Sequence, residues 1–340
     1  MNIEFHYYMV YLLAKRSGFN DEESYITAYS SQYVDHNTAR NKIKGEDGEY
    51  KNYISQTIDI TKPKKKLMRI YPCFHFIPGD YDCDSAKRKD GKLHVLNTTP
   101  GSKNANVLMD EALSTKNLFR IGVCTHCYAD TWAHQNFVGY FDYFNARGGV
   151  LETLTPNIGH ADAQTQPDIP GLVWEDEGLI SANREIHNNK RLIEAAESIF
   201  KKFKAYINPK QGKNNVEEEW RALKAELENA VGDEFRNKDQ RKKERIASYK
   251  KLLKNSLADF KDYDKNAWFD EAIRTKVVGL KDRKNWGPLN KISIFPDKYY
   301  KKSGFESSHW YKFQEAIKEH QRFANKLYSE LYYQLEVEEY

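Results

Sequence analysis

Residues 122 to 137 read GVCTHCYADTWAHQNF, and this stretch constrains the fold more than any other. His126, Asp130 and His134 recur every four residues. At about 100° per residue, such positions stack turn upon turn on one helix face. Their neighbours are apolar or aromatic: Val123, Tyr128, Trp132 and Phe137. Ionisable groups in such a helix are buried, and buried ionisable groups need partners. The column, about 12 Å long at 1.5 Å per residue, therefore obliges other segments to bring complementary groups to it. Either it belongs to a core helix with satisfied histidines, or it is one part of a metal-ligand set.

Helical periodicity dominates the rest. Ile3, His6, Val10 and Leu13 share one face of a first helix that Gly18 stops. Asn20 and Glu23 have the spacing of a capping box for a second helix, running to about Val34. Residues 36 to 104 are polar and broken by GEDGEY, FIPGD and NTTPGS. One long or broken helix is predicted from about 106 to 145, then a Pro/Gly-containing loop over 146 to 173. Helices follow over 178 to 207 and, in very charged form, over 215 to 260. Residues 263 to 305 read as irregular. A last helix over 306 to 337 carries Trp310, Phe313, Ile317, Phe323, Leu327 and Leu331.

No repeat and no βαβ alternation is present. The expectation is an all-α fold, with the ligand motifs in a core over residues 1 to 175 and helices continuing over 176 to 340. The segment at about 212 to 260 reads as a charged helical hairpin added to that core. Its charges suit a solvated face of i,i+4 pairs; a protein partner or nucleic acid is the alternative use of that surface.

The chain's 340 residues, 40% hydrophobic with 23 Tyr and 17 Phe, suffice for a large core. A net charge of +4 does not by itself argue for nucleic acid. Four cysteines make no disulfide framework. Cys124 and Cys127 form a CxxC inside the expected helix, and Cys73 and Cys83 are oddly spaced upstream, so core thiols are expected over a four-cysteine zinc site. The N-terminal apolar run lacks a basic region and a cleavage site and reads as a mature helix. No run reaches the roughly 20 apolar residues that span a bilayer, and a cytoplasmic protein is expected. P-loop, dinucleotide and G-x-S-x-G motifs are absent.

Further candidate ligands are spread along the chain. His6 sits on the first helix, and Asp35 and His36 end the second in QYVDHNT. His75 lies in YPCFHFIPGD, and His160, Asp162 and Asp168 in IGHADAQTQPD. Histidines and carboxylates without thiolates suit zinc in an open, catalytic site.

In order and context these motifs resemble the superfamily of zinc-dependent phospholipases C and single-strand-specific zinc nucleases. The likeness is to an uncharacterised bacterial intracellular branch with a FHYY-like start, H-x3-D-x-x-A-H-Q and GHAD…PD. It spans roughly residues 1 to 175. Members are all-helical and hold three zinc ions in one cleft. By position, the resemblance implies a first zinc on Asp35, His75, His126 and Asp130. A second would sit on His134, His160 and a carboxylate, either Asp162 or Asp168. A third would sit on His6, with Asp130 bridging. FHFIPGD is similar to the family's His-Phe loop, which favours His75 over His94.

Three departures stand out. The Asp130-x3-His134 spacing is shorter than in secreted members and similar to intracellular ones. The last carboxylate, expected one turn after its His on a helix, is here Asp162 or Asp168; Asp162 is favoured because it lies two residues from His160. Secreted relatives also use a processed N-terminal amine, for which this chain shows no processing. The Met1 amine, Glu4 or His36 would complete the third position, or the site would be dinuclear.

The chemistry implied is phosphodiester hydrolysis of a phospholipid, nucleic acid or nucleotide, with Asp35 and Asp130 as the catalytic carboxylates. Three zinc ions against three carboxylates leave a pocket that favours phosphate, and metal ions stabilise both oxygens of an in-line displacement. The basic run KPKKKLMR (Lys62, Lys64, Lys65, Lys66, Arg69) lies just before His75. An HD-type phosphohydrolase is a competing expectation, disfavoured because the doublet reads Asp35-His36. The non-enzymatic alternative is a metal-stabilised scaffold that binds a partner through its charged C-terminal half.

Overall fold

The computed structural model describes residues 1–57, 70–146, 158–237, 239, 241–276 and 297–335. Its centre is the helix carrying the His-Asp-His column, Leu118–Ala133, in which every side chain from Phe119 onward is buried. Four other helices surround it: Asp21–His36, Lys103–Ser114, Asn188–Ile207 and His309–Leu327. Gly122 permits the closest crossing. A Cβ there would lie 2.5 Å from the Thr27 carbonyl oxygen and 2.5 Å from Ser30 Cβ.

In chain order, a π-helical segment Glu4–Met9 runs into α1 (Val10–Ser17), which stops at Gly18 with φ 111°. Helix α2 (Asp21–His36) opens with the expected capping box, Asn20 and Glu23 each accepting the other's backbone N–H at 2.9 Å. Then come a hairpin of β1 (Lys42–Gly45) and β2 (Gly48–Lys51), a single turn α3 (Tyr71–Phe74), α4 (Lys103–Ser114) and α5 (Leu118–Ala133). A second hairpin, β3 (Val173–Glu175) and β4 (Glu185–His187), leads into α6 (Asn188–Ile207). The remainder is α7 (Lys213–Val231), α8 (Lys242–Ser256), α9 (Ala267–Ala272), β5 (Ile273–Lys276), β6 (Lys298–Lys301), α10 (His309–Leu327) and α11 (Ser329–Gln334).

The chain is thus mostly helical. It is not all-α, because β2-β1-β6-β5 form a four-stranded sheet in which β1 and β6 are parallel. Sequence periodicity missed these strands because each has only four residues. The helix expected over 106 to 145 breaks at Lys116, which takes a left-handed φ of 57°, and ends at Ala133. The one expected over 178 to 207 begins only at Asn188, since the preceding residues pair as β3 and β4. The last helix divides at Tyr328. No helix among the described residues is long and apolar enough to cross a membrane.

Two sequence expectations need correction. The first helical segment is not amphipathic: every residue from Glu4 to Ala14 is buried. The charged hairpin α7–α8 is not an appendage either. Trp220, Leu223 and Leu227 of α7 join the main core, as do Tyr249 and Leu253 of α8. Helix α8 packs over the N-terminal π-helical segment, where the buried Arg245 guanidinium forks onto both oxygens of Glu4 at 2.8 and 3.0 Å. Asp239 takes a further hydrogen bond from Arg245 at 2.7 Å. Several outward charges of α7 pair within the chain, as Glu226 does with Arg16 at 2.6 Å.

A candidate metal centre

Five separate segments converge on the α5 column. Helix α2 delivers Asp35 from its last turn, and α3 ends in His75, which its Pro72-initiated turn holds through an N–H to Tyr71 carbonyl bond of 2.9 Å. The π-helical segment brings His6 and, before it, the Met1 amine. A 3₁₀ turn, Gln166–Asp168, supplies Asp168, and the loop before it supplies His160. At Gly159 (φ 52°) a Cβ would meet the Phe76 ring at 2.4 Å, so only glycine lets His160 approach there. Phe76 in turn stacks on His134 with ring centroids 4.6 Å apart.

Three groups result, and within each the ligand atoms all lie within 4.8 Å of one another: His6, His126 and Asp130; Asp35, His75 and His126; His134, His160 and Asp168. Asp130, 1% exposed, is the hub. Its Oδ1 faces the Met1 amine and, at 3.1 Å, His6 Nε2; its Oδ2 faces His126 Nε2 at 3.1 Å and His75 Nδ1 at 3.3 Å. Asp35 Oδ1 lies 3.7 Å from His126 Nε2. Asp168 reaches His134 Nε2 at 3.2 Å, His160 Nε2 at 3.6 Å and the Met1 amine at 3.1 Å. Ligand atoms around one zinc sit about 3.3 Å apart, the edge of a tetrahedron with arms near 2.0–2.1 Å.

Hydrogen bonds behind the site fix the tautomers. His75 donates Nε2–H to the Ser55 carbonyl at 3.0 Å, His134 donates Nδ1–H to the His75 carbonyl at 2.8 Å, and His160 donates Nδ1–H to the Gln164 carbonyl at 2.7 Å. In each case the other ring nitrogen turns toward a carboxylate. Burial holds His75 below its ordinary value against the pull of Asp130, and burial holds His160 down at about 4. Both are neutral near pH 7, so a lone pair on His75 Nδ1 faces Asp130 and one on His160 Nε2 faces Asp168. A cation between them would relieve that opposition, and the donor set fits zinc.

The structure brings His6, Asp35, His75, His126, Asp130, His134, His160 and Asp168 together. It does not bring Asp162, which is half-buried and belongs to none of the three groups. The preference for Asp162 is therefore corrected in favour of Asp168. Pro167 opens a 3₁₀ turn that folds Asp168 back, so closeness in sequence to His160 is a poor guide. Glu4 and His36 are also excluded from the third position: Glu4 is held by Arg245, and His36 receives the Tyr263 hydroxyl at 2.8 Å. His94 lies apart, 3.8 Å from Asp142. The basic run from Lys62 to Arg69 lies outside the described residues. Cys73, Cys124 and Cys127 are buried thiols, with Cys124 pushed up to about 12 by burial, and no cysteine joins a metal-competent group among the described residues. Ser55 and Gln164 were not found from sequence, since they act through backbone carbonyls that carry no side-chain signal.

Residues 1–327 match the model of a family described as Family of unknown function (DUF6765). The chain belongs to this family. No curated protein and no solved structure matches it. The DUF6765 description states no activity, and nothing in the match links it to the zinc phospholipase C and nuclease superfamily.

The geometry of this DUF6765 chain separates its two candidate carboxylates. Asp168→Ala is expected to lose one bound zinc per chain, and Asp162→Ala none, when both purified variants are analysed for metal. Loss in the Asp162 variant alone would reverse the assignment.

The metal-free protein should also have a definite pH window. Burial, with the charges of His126 and the amine, holds His6 down at about 3, against an ordinary value of 6.5. Burial lowers the Met1 amine, but Asp130, Asp168 and Asp35 outweigh it and raise the amine from 8.0 to about 11. A depressed histidine stabilises fully above 6.5 and loses that contribution as pH falls toward its folded value; a raised amine stabilises fully below 8.0 and loses it as pH rises through 11. Chelator-treated protein is expected to melt highest between about pH 6.5 and 8. A melting temperature that climbs steadily as pH falls from 8 to 5 would contradict this.

Proposed function

We propose that this chain is a zinc-dependent phosphodiesterase. The observation that supports the reading is the convergence of imidazole lone pairs and three carboxylates at the foot of α5, with neutral histidines facing Asp130 and Asp168 at 3.3 and 3.6 Å. Asp35, His75, His126 and Asp130 would hold one ion; His134, His160 and Asp168 a second; His6, Asp130 and the Met1 amine a third. Zinc bound there would supply Lewis acidity toward a phosphoryl oxygen and make water acidic enough to attack near pH 7.

The chain's own groups divide the remaining work by exposure. Asp130, Asp168 and Asp35 carry three negative charges, fewer than the positive charge of two or three zinc ions, so the loaded site favours a phosphate anion. The Asp35 side chain is 27% exposed, suited to take a proton from water at the site mouth; Asp130, at 1%, holds the ligands in place. His160 at 20% and Asp168 at 18% complete an accessible rim. A purely structural site is closed, whereas a catalytic one keeps an open position. That rim favours an enzyme over a metal-stabilised scaffold. The HD-type reading is weakened because His36 points to Tyr263.

The test is turnover of bis(p-nitrophenyl) phosphate, p-nitrophenylphosphorylcholine and single-stranded DNA by the purified protein. Expected is hydrolysis of at least one, abolished by chelation and restored by zinc. A zinc-loaded protein inert toward all three would contradict the proposal.

A further inference from the structure

The four-stranded sheet lies outside the metal centre and has two unlike faces. Cross-strand partners share a face, and neighbours along a strand alternate. One face carries Ile43, Tyr50, Tyr299 and Ile273, and it packs on Phe305, Trp310 and Phe269. The register puts Lys42, Lys44, Lys51, Lys298, Arg274 and Lys276 together on the other. All six are exposed. Glu49 is the only acid in the strands of that face, and none of the six cations is ion-paired among the described residues. On the inner face, by contrast, Lys301 is paired with Asp47 at 2.7 Å. At the centre of the basic face lies half-exposed Tyr300, with the Arg274 guanidinium 5.1 Å from its ring centroid.

We propose that this face binds single-stranded nucleic acid, its cations meeting phosphates and the Tyr300–Arg274 pair stacking a base. Charge complementarity selects a polyanion. The aromatic ring beside a guanidinium selects one with π-faces. Unpaired bases fit better than duplex, because four strands span about 14 Å at roughly 4.8 Å spacing, while a major groove near 12 Å wide admits only a two-stranded ribbon. An anionic membrane fits less well, since among the described residues none of the exposed large apolar side chains is on this face to anchor it. The assignment is independent of the metal centre, although β2 ends four residues before Ser55, whose carbonyl holds His75.

The test is fluorescence anisotropy of a labelled oligothymidylate with the full-length protein, set against sedimentation with phosphatidylserine vesicles, with probe integrity checked on a gel. Binding of the oligonucleotide is expected near 50 mM salt and should weaken as salt rises. Lys42→Glu with Lys44→Glu should lower the slope of log affinity against log salt by about 1.4, two single-strand phosphate contacts at 0.7 each. Tyr300→Ala should weaken the oligonucleotide complex roughly tenfold and leave its salt slope unchanged. The substituted lysines are exposed, and unchanged melting temperatures in both variants would confirm an intact fold. No binding near 50 mM salt, or undiminished binding by the double lysine variant, would overturn the proposal. So would parental affinity in Tyr300→Ala, or vesicle binding that depends on the lysines while the oligonucleotide does not.

Discussion

The Asp130→Ala protein is expected to purify with at least one zinc fewer than its parent and to be less stable by about 3–5 kcal/mol, the usual cost of removing one partner from a buried charged set. Two effects combine. The carboxylate belongs to the His6 and His126 group, contacts His75 and His134, and neutralises the buried amine of Met1. Burial opposes its charge, yet His134, the amine, His126 and His6 outweigh burial and hold Asp130 far below the ordinary carboxylate value. Alanine removes that compensation and leaves Asp168, at 3.1 Å, as the amine's remaining carboxylate contact. His126→Ala should likewise lose zinc, because its Nε2 is shared between two groups. Metal analysis and thermal denaturation check both variants, and unchanged zinc content in both would refute the assignment.

Arg245→Ala is expected to destabilise the fold by a similar amount, about 3–5 kcal/mol, since it strands Glu4 in the interior. Glu4 is fully buried and both of its oxygens are held by this one guanidinium. Arg245→Met with Glu4→Gln should recover most of the loss, as a neutral pair carries no unpaired charge. The comparison is made by chemical denaturation of the three proteins. A single variant as stable as its parent would show that the pair contributes little. Glu4 lies three residues from the Met1 amine, so the single variant should also loosen the amine's contact with Asp130.

Much of the candidate site's side-chain cluster was legible in the sequence because it is built from side chains with strong chemical preferences. The i,i+4 column of His126, Asp130 and His134 survives as one face of α5, and the motif order anticipated that Asp35, His75 and His160 would join it. What was not legible depends on backbone. The π-helical start of the chain, which swings the Met1 amine onto Asp130, leaves no mark in residue periodicity. The 3₁₀ turn that selects Asp168 is written in Pro167 only after the fact. The same holds for the fold. Long periodic helices such as α10 were readable, whereas β1 and β6, 256 residues apart where Lys44 meets Tyr300, pair only through tertiary structure. The charged hairpin misled for a different reason: Arg245 reads as surface in a Lys/Arg-rich helix, but a single buried carboxylate makes it core.

The most direct measurement is the metal content of the full-length protein, purified without chelators or an added metal-binding tag and analysed by plasma mass spectrometry. The reading of Asp130 as the hub of a ligand set predicts two or three zinc ions per chain, lost on acidification as the histidines protonate. Protein that is folded at pH 7, holds no zinc and takes up none when zinc is supplied would contradict it.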